Sequence, residues 1–123
     1  MAKVDTLQLS DDNFIDVGTE NIQGLVVCNT HDDIIEFNLV LGDPLLSGGT
    51  AATDAIFILK SVPISGGSTF VWDDDNILSG VFDRASTVNT FNANINRFER
   101  KKGLTFLVRL SSSNTASVIL RRQ

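Results

Sequence analysis

The sequence predicts an all-β chain. It reads as one antiparallel β-sandwich domain, jelly-roll-like, spanning residues 1–123 with one irregular insertion near residues 83–100. Three observations carry this reading. Apolar stretches are short and are separated by Gly, Asn, Asp and Ser, the punctuation of strands and turns. Two of them, IIEFNLVL and LTFLVRL, alternate apolar and polar residues with a period of two. Seven or eight such stretches fit into 123 residues, a number that suits two packed sheets.

Taken in order, KVDTLQL places Val4, Leu7 and Leu9 in a first strand, and SDDN supplies a turn whose side chains bond their own backbone. NFIDVG and IQGLVVCN follow as further apolar pieces. In IIEFNLVL, residues Ile35, Phe37, Leu39 and Leu41 share one face while Glu36 and Asn38 take the other. Pro44 and the pair Gly48-Gly49 then break the chain into a loop. AIFILKSVPI is apolar on both faces at its start, which predicts a strand in the middle of a sheet. SGG turns the chain into STFVW, where Phe70 and Trp72 share a face, and a short apolar piece, NILSGVF, follows the aspartates. LTFLVRL sends Leu104, Phe106, Val108 and Leu110 inward and Thr105 and Arg109 outward. The turn SSSNT joins it to ASVILRR, with Ala116, Val118 and Leu120 inward, so these two strands are expected to form an antiparallel hairpin. Within residues 83–100, Val88, Phe91, Ile95 and Phe98 recur at spacings of three and four, as in an amphipathic helix. Four asparagines and several Thr and Ser residues oppose that, so the segment is expected to be irregular with one helical turn.

Composition narrows the function class. The chain is 42% hydrophobic and 20% charged, the balance of a folded domain rather than a disordered one. Cys28, the single cysteine, lies in the apolar run LVVCN and is expected in the core; alone, it excludes an internal disulfide framework and a cysteine-based zinc site. The segment MAKVDTLQLS reads as a strand rather than a secretory signal, and no apolar stretch approaches the length of a membrane span. The net charge of −5 is unevenly spread: residues 1–54 hold ten acids and one base, Lys3, while residues 55–123 hold five acids and nine bases. Such asymmetry neutralises itself within the fold or guides contacts with a partner surface. FERKKG gathers Arg97, Arg100, Lys101 and Lys102, but the domain is acidic and lacks a basic stripe interleaved with aromatics, so nucleic-acid binding is not expected.

No reaction centre emerges, and no catalytic, cofactor or metal residue is assigned. Counted from Asp73, the sixth and twelfth positions of FVWDDDNI and its continuation are Leu78 and Arg84, where an EF-hand needs Gly and Glu. A different cation site using Asp73 and Asp75 stays open. Adjacent aspartates on a strand point to opposite faces and so cannot form a catalytic pair by themselves, and nothing selects Asp33 or Glu36 as a distant partner. His31, the only histidine, sits in the polar turn NTHDD, with no second histidine for a metal and no G-x-S-x-G elbow to serve. Gly48-Gly49 and Gly66-Gly67 sit between strands rather than opening a helix, so they do not cradle phosphate. Trp72 reads as a packing residue before it reads as a sugar platform.

Three stretches taken together, VVCNTHDDIIEFNLVL, AIFILKSVPISGGSTFVWDDDNILS and GLTFLVRLSSSNTASVILRR, resemble small structural proteins of tailed bacteriophages. The shared pattern is an N-terminal strand pair, a central apolar strand running into P-I-x-x-G-G-S, and a terminal L-x-V-R-x-S-S-x-x-x-A-x-V segment. It covers residues 22–121, with 83–100 as an insertion. The resemblance implies a jelly-roll-like sandwich assembled in the host cytoplasm and carried on the virion. Its expected role is head decoration (cement), or else a tail, neck or baseplate component. The expected partners are a major capsid protein or tail proteins, and further copies of the chain, as a trimer or ring; no membrane, nucleic acid or cofactor is implied. The outward apolar residues Leu107 and Ile119, with Arg109 and Arg121 beside them, are the expected subunit contacts. The rival is a carbohydrate-binding sandwich using Trp72 and a calcium ion held by the aspartate triplet. A hydrolase ranks third.

Overall fold

The computed structural model describes residues 3–18, 22–73, 87–111 and 114–122. The first strands are β1 (Lys3–Leu9), β2 (Ile15–Gly18), β3 (Ile22–Cys28), β4 (Ile35–Gly42), β5 (Ile56–Ile64) and β6 (Thr69–Trp72). They are followed by β7 (Thr87–Asn92), β8 (Arg97–Lys102), β9 (Thr105–Leu110) and β10 (Ala116–Arg122). One 3-10 turn, Pro44–Leu46, lies between β4 and β5, and its N-cap Asp43 accepts a hydrogen bond from the Leu45 amide at 2.9 Å. Among the described residues no helix is long and apolar enough to cross a membrane.

Eight strands form two four-stranded antiparallel sheets, ordered β1-β10-β3-β6 and β2-β9-β4-β5. The fold is an all-β sandwich, as the alternation predicts. The pairings nest: β1·β10 encloses β2·β9, which encloses β3·β6, which encloses β4·β5. Alternate residues of both sheets point into one shared core. The first sheet contributes Leu9, Leu25, Val27, Ala116, Val118 and Leu120, and the second contributes Ile35, Phe37, Leu39, Leu41, Phe106, Val108 and Leu110, all buried. Phe70 and Trp72 of β6 close the core at its edge, with the Phe70 ring 6.5 Å from that of Phe37. Each fully buried Val, Leu, Ile or Phe side chain of this core contributes on the order of 1.5–3 kcal/mol on leaving water.

Four expectations change. β9 and β10 are not a hairpin: they lie in opposite sheets. Alternation shows which residues face the core, and two strands facing it from opposite sides alternate just as two neighbours do. β5 is an edge strand rather than a central one, which is where Pro63, lacking an N–H, is tolerated. Cys28 is half-buried on the outer side of β3, between Ser117 and Thr69, and not in the core. Finally, residues 87–102 form a β-hairpin, β7·β8, in place of an irregular helical excursion; Phe91 stands opposite Phe98 with the rings edge to face at 5.4 Å. Asn92 accepts from the Asn94 amide, and Asn96 takes a left-handed conformation, so the asparagines that weaken a helix build the turn. The pieces at 74–86 and 112–113 fall outside the described residues.

Loops are held by specific polar contacts. Fully buried Asn29 donates through Nδ2 to the carbonyls of Asp33 and Ile64, and its Oδ1 accepts from the His31 amide. Gly66 lies so close to the 31–33 turn that an added Cβ would stand 2.1 Å from the Asp32 carbonyl oxygen. Asn38 plugs a bulge: its Oδ1 accepts from the Ser61 amide, where β5 kinks, and its Nδ2 donates to the Arg109 carbonyl. Asn29→Ala is therefore expected to cost about 1–3 kcal/mol in urea unfolding, the penalty for stranding buried partners. Gly66→Ala should lower the melting temperature more than Gly67→Ala, because the second has open space around it and only its left-handed backbone opposes the change. Equal effects of the two substitutions would contradict the close approach seen at Gly66.

Candidate functional site

Each sheet has an outer face, and the two are treated differently by the chain. On the β2-β9-β4-β5 sheet, Val40 and Leu107 point outward and are buried with Phe14 in a second cluster, covered by Leu46, Ala52 and Ala55 from the 43–55 loop. That loop is stitched down by backbone bonds: Phe14 N donates to the Gly49 carbonyl at 2.8 Å and Gly48 N to the Phe14 carbonyl at 3.0 Å. Left-handed Gly48 makes the turn.

The β1-β10-β3-β6 sheet has no such cover among the described residues. Its register aligns Thr6, Ile119, Val26 and Val71 in one row across four strands. Val71 is 61% exposed and Ile119 40%, and Val4, one row away, is 62% exposed. A parallel row, Gln8, Ser117, Cys28 and Thr69, is polar by comparison, with Gln8 Nε2 donating to Ser117 Oγ at 2.9 Å. On the other flank Arg121 stands between Val4 and Gly24. A Cβ on Gly24 would come within 3.2 Å of the Arg121 guanidinium, so the absent side chain is what lets Arg121 lie along the sheet. The result is a shallow hollow of about 140 Å³ with an apolar floor, bordered by Arg121 and Asp73.

Against this geometry the four expected contact residues divide. Ile119 and Arg121 lie on the open face. Leu107 is fully buried, and the expectation that it is exposed is corrected: it points away from the central core, but the 43–55 loop covers it. Arg109 is half-buried and engaged, donating through Nε to the Asp11 carbonyl at 2.9 Å with its guanidinium over the Phe14 ring. Val4 is named in the sequence only as a residue of the first strand, and Val26 and Val71 not at all; none of the three is expected there as a contact. Period two marks them as outward-facing, but only the register aligns them with Ile119.

The chemistry-bearing residues are dispersed. His31 Nε2 pairs with Thr115 Oγ1 at 2.8 Å, and Asp16 accepts from Thr105 Oγ1. Asp5 pairs with Arg122 across β1 and β10, which joins the acidic N-terminal half to the basic C-terminal half. Among the described residues no three His, Cys, Asp or Glu side chains are placed to hold a metal ion. Asp74 and Asp75 fall outside the described residues. Comparison with protein-family models, with curated proteins and with solved structures finds no match to this chain.

The two outer faces make opposite predictions. Leu107→Ala should cost about 2–5 kcal/mol in denaturant unfolding, as a filled core position does. Ile119→Ala and Val71→Ala should each stay within about 0.5 kcal/mol of the parent chain, as exposed positions do.

Proposed function

We propose that this chain is a non-enzymatic structural protein of a tailed-bacteriophage virion, with head decoration ahead of a tail, neck or baseplate role. The observation that carries the reading is the row Ile119–Val26–Val71 with Val4 beside it. It lies on the outer face of the sandwich that no described residues cover. Apolar residues aligned across a sheet and rimmed by polar ones are the mark of a surface that meets another protein. Two further points support the phage assignment. The strand and turn motifs resemble those of phage structural proteins, and the nested pairing of eight strands reads as a jelly roll, an architecture common in viral capsids. Trp72 packs on the core, and this favours assembly over a sugar platform.

In mechanism, the protein reinforces a lattice by seating its open face on a neighbouring virion protein. Arg121 at the rim of the hollow sets orientation, and the valines and isoleucine, buried in the contact, supply affinity. The test is mass spectrometry and cryo-electron microscopy of purified virions from a phage encoding the chain. The protein is expected on the particle, with Val71 and Ile119 at the contact. A variant carrying Val71→Asp and Ile119→Asp should fold with an unchanged melting temperature yet fail to bind particles that lack the protein. Absence of the chain from purified particles would overturn the reading.

A further inference from the structure

The β7·β8 hairpin forms a sheet of its own. Its register puts Asn89, Phe91, Phe98 and Arg100 on one face, and all four are exposed, Phe98 by 69%. A lone two-stranded hairpin is marginal in water, and one that shows two aromatic rings to solvent lacks the packing that would steady it. The hairpin is also the basic part of an acidic chain. Residues 87–102 hold four bases and one acid, so their charge is +3 where the remainder of the chain carries −8.

A surface of the opposite character lies at the β4–β5 end of the sandwich. A groove of about 670 Å³ has an apolar lining of Leu45, Leu46, Ile56 and Leu104 and is flanked by Asp43 and Asp54. Leu45 is 88% exposed although it points from a capped turn. The hairpin does not line the groove of its own chain. Only Gly103 separates β8 from Leu104 in the groove wall, and an extended β8 carries Phe98 about 13 Å from that root.

We propose that the β7·β8 hairpin of one copy docks in the Leu45–Ile56–Leu104 groove of a second copy, so that each copy gives one hairpin and receives one. Phe91 and Phe98 meet the apolar lining. Arg100 on the same face, with Arg97 at the turn end of the hairpin, answers Asp43 and Asp54. Charge complementarity selects a second copy as the occupant: the donor is the basic segment and the acceptor belongs to the acidic remainder of the same chain. The contact joins donor to acceptor, so repetition about a rotation axis closes a symmetric oligomer. This inference concerns self-association alone and stands whether or not the chain is a virion protein.

The test is analytical ultracentrifugation of the full chain with charge-reversed variants. The parent chain is expected to self-associate at low ionic strength and to dissociate as salt is raised. A donor variant, Arg97→Glu with Arg100→Glu, and an acceptor variant, Asp43→Asn with Leu45→Lys and Thr53→Lys, should each associate at least about tenfold more weakly. The Asp43→Asn change keeps a side-chain oxygen for the cap, and circular dichroism checks that both variants fold. Mixed in equal amounts, the two should associate again, because each reversed surface then finds its complement. A parent chain that stays monomeric at low salt, variants that associate as the parent does, or a mixture that stays dissociated would each overturn the proposal. The salt titration of the parent decides the matter if a variant does not fold. Particle incorporation, tested separately through Val71 and Ile119, is unaffected by any of these results.

Discussion

Strand β4 is buried along both faces, and the rest of the molecule is arranged around that requirement. Ile35, Phe37, Leu39 and Leu41 need a second sheet opposite them, while Val40 and Asn38 on the reverse side need a cover that a two-layer sandwich does not provide. The first need is met by the β1-β10-β3-β6 sheet. The second is met by the chain itself: Phe14 and the 43–55 loop fold over Val40 and Leu107, and the bulge at Ser61 turns backbone groups toward the Asn38 amide. A polar side chain at such a site is tolerated because its carbonyl accepts and its amide donates, leaving little desolvation uncompensated.

Among the described residues, this requirement is met with a cover on one outer face only. The loop between β4 and β5 is long enough to lie across its own sheet, held at Phe14 by two backbone hydrogen bonds, to Gly49 and from Gly48, and closed on itself by the Gly49 amide donating to the Leu46 carbonyl. On the first sheet, the described connections turn at the ends of strands and leave the middle of the outer face bare. Ile119 and Leu107 have the same place in the alternating pattern of their strands, each outward between inward neighbours. Their burial differs because the 43–55 loop lies over Leu107, while no described residue lies over Ile119 in the same way.

Much of the fold was legible in the sequence, and the misreadings share a physical cause. Alternation in β4, β9 and β10 correctly separates inward from outward residues, because the pleat imposes a period of two on any half-buried strand. It does not carry which strand is the neighbour, so β9 and β10 read as a hairpin although the core lies between them. In residues 87–102, Phe91 and Phe98 are seven apart, which is two helical turns and is also the separation of a cross-strand pair flanking a turn. The asparagines at 92, 94 and 96 decide between them, and their effect is in turn geometry, which periodicity does not weigh. β5 misled for another reason: Ile56 and Phe57 are apolar on both faces although the strand is at an edge. The open face was legible only in part, through Ile119 and Arg121, because aligning them with Val26 and Val71 takes the register of four strands drawn from the whole length of the chain.

The edges of the sheets bear on how such a molecule meets others. Exposed strand edges invite pairing with any extended chain, and proteins that persist in solution blunt them. Here β2 and β6 are only four residues long, β2 is irregular between Asp16 and Gly18, and β5 carries Pro63 and a kink at Ser61. β1 is longer, and its Asp5 is tied to Arg122 of the neighbouring strand. With backbone pairing discouraged at the β2, β5 and β6 edges, the side-chain surfaces that stand out are a flat apolar row on one face and a basic aromatic hairpin with an acidic groove. Contacts of the first kind depend on area and shape and change little with salt, whereas contacts of the second kind weaken as salt rises. The two proposed contacts, with a lattice through the apolar row and with further copies through the hairpin, would therefore be separated by ionic strength, the hairpin contact releasing first.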